Sequence, residues 1–235
     1  MDKKNIAIIT AAGKGIRLKK DIKKQYIKLK EKPIIYYTIK KFNDFNIIDE
    51  IIVVADKENI EYMKKEVIEK YNFHKVKSIV EGGKTRKESV HNGFKKIENK
   101  NSIIIIHDGV RPFVENKVIF NSVKNASLYG ASIAAVKSID TVKIVEDEMV
   151  IDTLDRDKLR RVQTPQAFKY EILEESYKLV DRNNSKITDE AFIVESAGFP
   201  VHITESSEKN IKITTEFDLE LAVFLLKKES LWKLE

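Results

Sequence analysis

Three turns in the sequence gather residue types that bind anions, and each follows an apolar run. "AAGKGIRL" (Ala11–Leu18) follows Asn5–Thr10, "EGGKTRKESV" (Glu81–Val90) follows Val76–Val80, and "HDGVRP" (His107–Pro112) closes the run "SIIIIHD". Gly13 and Gly15 let the backbone turn tightly and bring N–H groups against an anion. Arg17 and the Lys23-Lys24 pair add the cations that a multiply charged phosphate needs. Leu18 stands where a dinucleotide fingerprint would have its third glycine, and no Gly-Lys-Ser/Thr follows to make a P-loop. Lys19, Lys20 and Lys23 suit a solvated loop equally well.

Gly82 and Gly83 permit close backbone approach to a flat ligand. Ser89, in the first turn of the helix that follows, can read a base edge or a phosphate, or can serve only the helix-end donors. Asp108 ends a buried strand three residues before Arg111. It can bind Mg²⁺ or a substrate hydroxyl, and Arg111 can clamp a phosphate; an internal Asp108–Arg111 ion pair would use the same residues. In "QTPQAF", Pro165 implies an extended turn presenting Thr164. In "NIKIT", Lys212 reads as the polar face of a short strand, with Ile211 and Ile213 opposite.

Other chemistries find little support. His74, His91, His107 and His202 lack metal-ligand spacing, and no Gly-x-Ser-x-Gly elbow occurs. The absence of cysteine excludes disulfides and thiol catalysis, and a cytoplasmic setting is expected.

The elements that must position these turns alternate. Asn5–Thr10, Glu50–Ala55, Val76–Val80 and Ser102–His107 read as strands, while Pro33–Phe45, Lys57–Tyr71 and Arg86–Ile97 read as helices. The pattern predicts an α/β fold: a Rossmann-like, mostly parallel twisted sheet with helices on both faces and ligands beyond the carboxyl ends of the strands. After Ala131 come a strand at "SIAAVKS" and a hairpin at "TVKIVEDEMVIDTLDR" around Glu146-Asp147-Glu148. Helices Tyr170–Val180 and Asp189–Ser196, the latter ending at Gly198, precede the strand Val201–Thr204. "NIKITT" reads as another strand, and Thr215 with Asp218 as a capping box. The hairpin would stand exposed unless something packs on it, which makes it a candidate dimer arm.

The 235 residues suit one domain, 1–235, with the arm at about 138–158. The net charge of +6 allows anionic metabolites or nucleic acid, but the lysines are dispersed and no nucleic-acid motif occurs, so no nucleic-acid partner is expected. No segment approaches a membrane span, and none is expected.

The ordered set "AAGKGIRL", "KQY", "GGKTRKESV", "HDGVRP", Asp140-Thr141, "TPQAF", "TDEAFIVE" and "NIKITT" resembles the cytidylyltransferases of the non-mevalonate isoprenoid pathway. The resemblance implies that CTP and a polyol phosphate, 2-C-methyl-D-erythritol 4-phosphate, give 4-diphosphocytidyl-2-C-methyl-D-erythritol and pyrophosphate by in-line attack. It implies that Arg17, Lys24, Arg156 and Lys212 are catalytic. Ala11, Ala12, Gly13, Gly15, Gly82, Gly83 and Ser89 would hold the nucleotide, and Asp108, Arg111, Thr141 and Thr164 the acceptor. Thr141 and Arg156 would reach the partner's site from the arm of a homodimer. Mg²⁺ would be carried largely by the triphosphate, with Asp108 the best candidate protein ligand. Two departures from the family pattern stand out: Lys23 where a proline is usual before "KQY", and Gly109-Val110 where two alanines or a close variant are usual. The nearest alternative is a ribitol or ribulose 5-phosphate cytidylyltransferase, and a more distant one is a catalytically silent nucleotide-binding module.

Overall fold

Apolar runs of the β-branched type become strands, and the intervening amphipathic segments become helices that cover them. The computed structural model describes residues 2–13, 23–180 and 187–231, so Gly15 and Arg17 lie outside the described residues. In chain order the elements begin with β1 (Lys4–Ala11), the ribbon β2 (Lys28–Leu29) and β3 (Lys32–Pro33), α1 (Ile34–Asn43), β4 (Glu50–Ala55) and α2 (Ile60–Tyr62). There follow β5 (Val76–Glu81), α3 (Arg86–Phe94), β6 (Ser102–Asp108), α4 (Asn116–Tyr129) and β7 (Ala131–Lys137). The hairpin β8 (Lys143–Glu146) and β9 (Met149–Thr153) leads to β10 (Arg160–Lys169), α5 (Tyr170–Leu179), α6 (Glu190–Ser196), β11 (His202–Glu205) and α7 (Glu216–Leu231).

One sheet has the order β11-β7-β10-β6-β1-β4-β5. Its strands run parallel except β10, which is antiparallel to both β6 and β7. Alternate residues serve opposite layers. Ala7, Ile9, Val53 and Ile105 face α1, α4 and the helical segment 57–69, whereas Ile6, Ile8, Val54 and Ile104 face α3, α5 and α6. Burial on both faces explains the unbroken apolar run of β6. A third cluster joins Ala222 and Leu226 of α7 to Leu29, Ile34, Val110, Phe113 and Ile213.

Several expectations need correction. "NIKITT" is not a strand: residues 211–214 have no ladder, and the segment is held by Ile213, fully buried, whose N–H donates to the Val110 carbonyl at 2.9 Å. The Thr164–Pro165 segment is not a presenting turn but part of β10, where the pairing with β7 shifts register between Val162 and Gln166. The Lys57–Tyr71 helix is mixed: a 3-10 turn at Lys57–Asn59, then α2, then a π-helix at Met63–Glu69 with Met63 and Val67 buried. Helix α4 (Asn116–Tyr129) is an element that the sequence pattern does not announce.

The hairpin is present. Asp147 and Glu148 both have positive φ (46° and 65°), the two-residue turn geometry that matches strand twist. Every residue of β8 and β9 is exposed. The Thr215–Asp218 capping box also forms: Asp218 N–H donates to Thr215 Oγ1 at 3.2 Å, and Thr215 N–H donates to Asp218 Oδ2 at 2.8 Å.

Candidate active site

A cleft of about 240 Å³ opens beyond the carboxyl ends of β1, β5 and β6. On one wall β1 ends at Ala11, and Ala12 and Gly13 continue along the cleft. The side chain of Gln25, almost fully buried, donates to the carbonyls of Ala11 (2.6 Å) and Gly13 (3.3 Å). Gln25 and Tyr26 are the buried second and third residues of a 3-10 turn that begins with Lys24, so Lys24 is delivered to the cleft from an anchored segment. The preceding Lys23 points elsewhere: its Nζ lies 2.7 Å from Asp56 Oδ1 and 3.4 Å from Glu58 Oε2.

The opposite wall is the turn from β5 into α3. A Cβ on Gly82 would lie 2.3 Å from the Ala12 Cβ, so only glycine lets this turn approach β1 so closely. The Gly83 N–H donates to Ser89 Oγ at 3.0 Å, and that hydroxyl donates to the Thr85 carbonyl at 2.9 Å. Ser89 thus ties the glycine turn to the helix. Thr85 caps α3 by accepting from the Glu88 N–H at 3.2 Å.

Between the walls stands Asp108, buried at the end of β6. Its Oδ2 lies 2.9 Å from Lys212 Nζ and 3.4 Å from Arg111 Nε, and its Oδ1 lies 3.4 Å from Arg86 Nε. Burial alone would raise this carboxyl; Arg86, Lys212 and Arg111 together outweigh it and hold the group well below the usual carboxylate range. Arg86 also donates from Nη1 to the fully buried Glu190, Oε2 at 2.6 Å. Burial pushes the Glu190 carboxyl up against the opposing pull of Arg86. Arg111 donates from Nη1 to the Asn210 carbonyl at 2.7 Å, which seats it beneath Asp108.

Behind Asp108 runs a neutral relay. His107 Nε2 lies 3.1 Å from the Arg111 carbonyl, which can only accept, so Nε2 carries the ring proton. Nδ1 then accepts from Thr164 Oγ1 at 3.0 Å, and Thr164 Oγ1 in turn accepts from the Asp108 N–H at 3.1 Å. Burial depresses the His107 imidazole to about 4.

The donor set does not fit a protein-held Mg²⁺. Both Asp108 oxygens already face cations, and among the described residues no cluster of three His, Asp or Glu side chains could hold a metal.

A glycine-lined slot facing a carboxylate ringed by cations suits a nucleoside phosphate, and comparison with known proteins agrees. The sequence model of the 2-C-methyl-D-erythritol 4-phosphate cytidylyltransferase family matches residues 5–228. The chain belongs to this family. A 2-C-methyl-D-erythritol 4-phosphate cytidylyltransferase of Clostridium novyi is 48% identical over 224 residues, covering 95% of this chain and 96% of that protein. One from Alkaliphilus oremlandii is 47% identical over 225 residues, covering 95% of each. The crystal structure of 4-diphosphocytidyl-2C-methyl-D-erythritol synthase from Anaerococcus prevotii superposes with a TM-score of 0.84 at 33% identity, covering 96% of both chains. The Francisella tularensis 2-C-methyl-D-erythritol 4-phosphate cytidylyltransferase gives 0.79 at 35% identity, covering 94% of this chain and 99% of that one.

Within this cytidylyltransferase fold, Ala11, Ala12, Gly13, Lys24, Gly83, Ser89, Asp108 and Lys212 all line one cleft. Gly82 backs it, while Arg111 and Thr164 are buried in contact with Asp108. Thr141 and Arg156 are exposed on the arm side and do not line it; Arg156 begins a 3-10 turn and donates to the Ile139 carbonyl at 3.3 Å. The sequence analysis gives no role to Gln25, Thr85, Arg86, His107, Glu190 or Asn210. Thr85 with Glu88 carries the helix-start spacing that would have flagged it. Arg86 and Glu190 lie inside motifs already quoted, but nothing in a sequence tells a buried ion pair from two solvated helix starts. Val110 packs into the third cluster, beside Ile34, Phe113 and Ile213.

Proposed function

We propose that this enzyme transfers the cytidylyl group of CTP to 2-C-methyl-D-erythritol 4-phosphate, yielding 4-diphosphocytidyl-2-C-methyl-D-erythritol and pyrophosphate. The observation that carries the reading is the single cleft in which the glycine turns face Asp108 and its three cations, in a chain of this family.

A phosphate oxygen of the acceptor attacks the α-phosphorus of CTP. The bond from that phosphorus to the bridging oxygen breaks, and pyrophosphate leaves with the electron pair. No enzyme nucleophile is required, and the cleft's serine hydroxyl is already committed to Thr85 and Gly83. Catalysis is then positioning and charge stabilisation. In this reading Ala11, Ala12, Gly13, Gly82, Gly83 and Ser89 shape the nucleotide slot, with Gly15. Lys24, with Arg17, stabilises charge on the α-phosphate and the leaving group. Asp108 and Lys212 orient the acceptor, and Arg111 and Thr164 serve it from below by fixing Asp108. Mg²⁺ belongs to the triphosphate rather than to a protein carboxylate. Thr141 and Arg156 act on the partner's site in a homodimer, a role supported by an arm that exposes Val145, Met149, Val150 and Ile151. Among the described residues no helix is long and apolar enough to cross a membrane; the enzyme is assigned to the cytoplasm, where its nucleotide substrate is available.

Pyrophosphate release, measured with CTP, UTP, ATP and GTP crossed against 2-C-methyl-D-erythritol 4-phosphate and ribitol 5-phosphate, tests the reading. Turnover is expected with CTP and methylerythritol phosphate. Turnover with ribitol phosphate alone would overturn the acceptor, and turnover with UTP alone would overturn the base.

A further inference from the structure

Four charged residues from four parts of the chain are linked in series: Glu190, buried behind the cleft at the start of α6, then Arg86 at the start of α3, Asp108 at the end of β6, and Lys212 in the segment before α7, the last three lining the cleft. Glu190 is fully buried, and among the described residues its Oε1 has no hydrogen-bond partner. A buried carboxylate with an unmet oxygen is costly, and what sets that cost off here is the ion pair with Arg86. The helix start that carries Glu190 is held in place. The adjacent Asp189 accepts from the Phe192 N–H at 3.0 Å and from Gln166 Nε2 of β10 at 2.7 Å, which pins the start of the helix to the sheet.

The guanidinium of Arg86 bridges Glu190 and Asp108, a geometry that suits a planar fork and not a point charge. Asp108 is thereby divided: Oδ1 faces Arg86, while Oδ2 is shared by Arg111 and Lys212. Lys212 is the most exposed of the three cations, with 36% of its side chain accessible against 28% and 11% for Arg86 and Arg111. Without Arg86, the Asp108 charge would fall on Lys212 and Arg111 alone, and the ammonium would be drawn down and neutralised.

We propose that Glu190 is a positioning residue for the acceptor end of the cleft: it locks Arg86 onto Asp108 Oδ1, which keeps Lys212 available to an incoming phosphate. The proposal rests on the cytidylyltransferase reading, which places the acceptor at Asp108 and Lys212.

The test is a kinetic double-mutant cycle with Glu190→Gln, Arg86→Lys and the double variant, with KM for CTP and for methylerythritol phosphate measured separately. Each single substitution is expected to raise the acceptor KM about tenfold or more, with the CTP KM within about threefold. Adding Glu190→Gln to Arg86→Lys should change the acceptor KM by less than about twofold, because Glu190 acts only through Arg86. Additive effects, or both KM values rising together, would overturn the proposal. Arg86 is partly exposed, so Arg86→Lys should fold even if Glu190→Gln does not; an unchanged acceptor KM in that variant alone overturns it. Wild-type enzyme inactive on this substrate pair would instead sink the functional reading and this proposal with it.

Discussion

The Lys212 ammonium lies 2.9 Å from Asp108 Oδ2, although Lys212 belongs to no strand or helix. The burial of Ile213 and its bond to Val110 place it there, and α7 closes over the same cluster. Lys212→Met should therefore fold normally while losing a cation at the reacting phosphates. We expect the acceptor KM to rise, because Lys212 orients the acceptor, and kcat to fall by about 10²–10³, the scale of removing one transition-state charge partner. Near-normal turnover would move that role to another cation.

Lys23 is tied to Asp56 and Glu58 rather than aimed into the cleft. Lys23→Met should leave the CTP KM within about twofold and lower stability by about 0.5–1 kcal/mol, as loss of a partly exposed ion pair does. A CTP KM raised tenfold or more would put the Lys23 charge on the triphosphate.

The His107 imidazole is buried and depressed from 6.5 to about 4. As pH falls, the unfolded chain takes up this proton first. The stability that His107 contributes is thus fully present above pH 6.5 and is lost as pH falls toward 4, a change on the order of 3 kcal/mol. Asp108 remains ionised throughout that window. Nitrogen NMR of the ring should find Nε2 protonated and Nδ1 bare down to about pH 4; titration near 6.5 would contradict the relay through Thr164.

If the arm serves the partner's site, two inactive variants should complement each other. Mixing Lys24→Ala with Arg156→Ala under conditions of subunit exchange leaves one intact site in each mixed dimer. Activity should recover to about a quarter of wild type when exchange is random. No recovery, with mixed dimers demonstrated by mass, would confine Arg156 to its own subunit or remove it from the site.

The strands and glycine turns were legible because burial on both faces writes continuous apolar runs, and because turns after parallel strands need glycine. The cap at Thr215 and Asp218 was legible because it is local. α4 was obscured by Ser122, a polar residue on its buried face. β10 was hidden by Pro165 and by a register shift that breaks its alternation. Lys212 alternates with isoleucines, but side-chain alternation does not reveal whether the backbone has a neighbour to pair with. Arg86 and Glu190 look like ordinary charged helix starts, and only the fold brings them together at 2.6 Å.

The antiparallel β10 has a consequence for biosynthesis. β5, β4, β1 and β6 are complete once Asp108 has left the ribosome, yet the strand that covers the far side of β6 ends only at Lys169. During the interval the nascent chain carries an open edge built around the consecutive isoleucines Ile103, Ile104, Ile105 and Ile106. Such an edge pairs readily with other chains. A chain stopped after Gly130 should therefore be recovered as aggregate rather than as a soluble half-sheet.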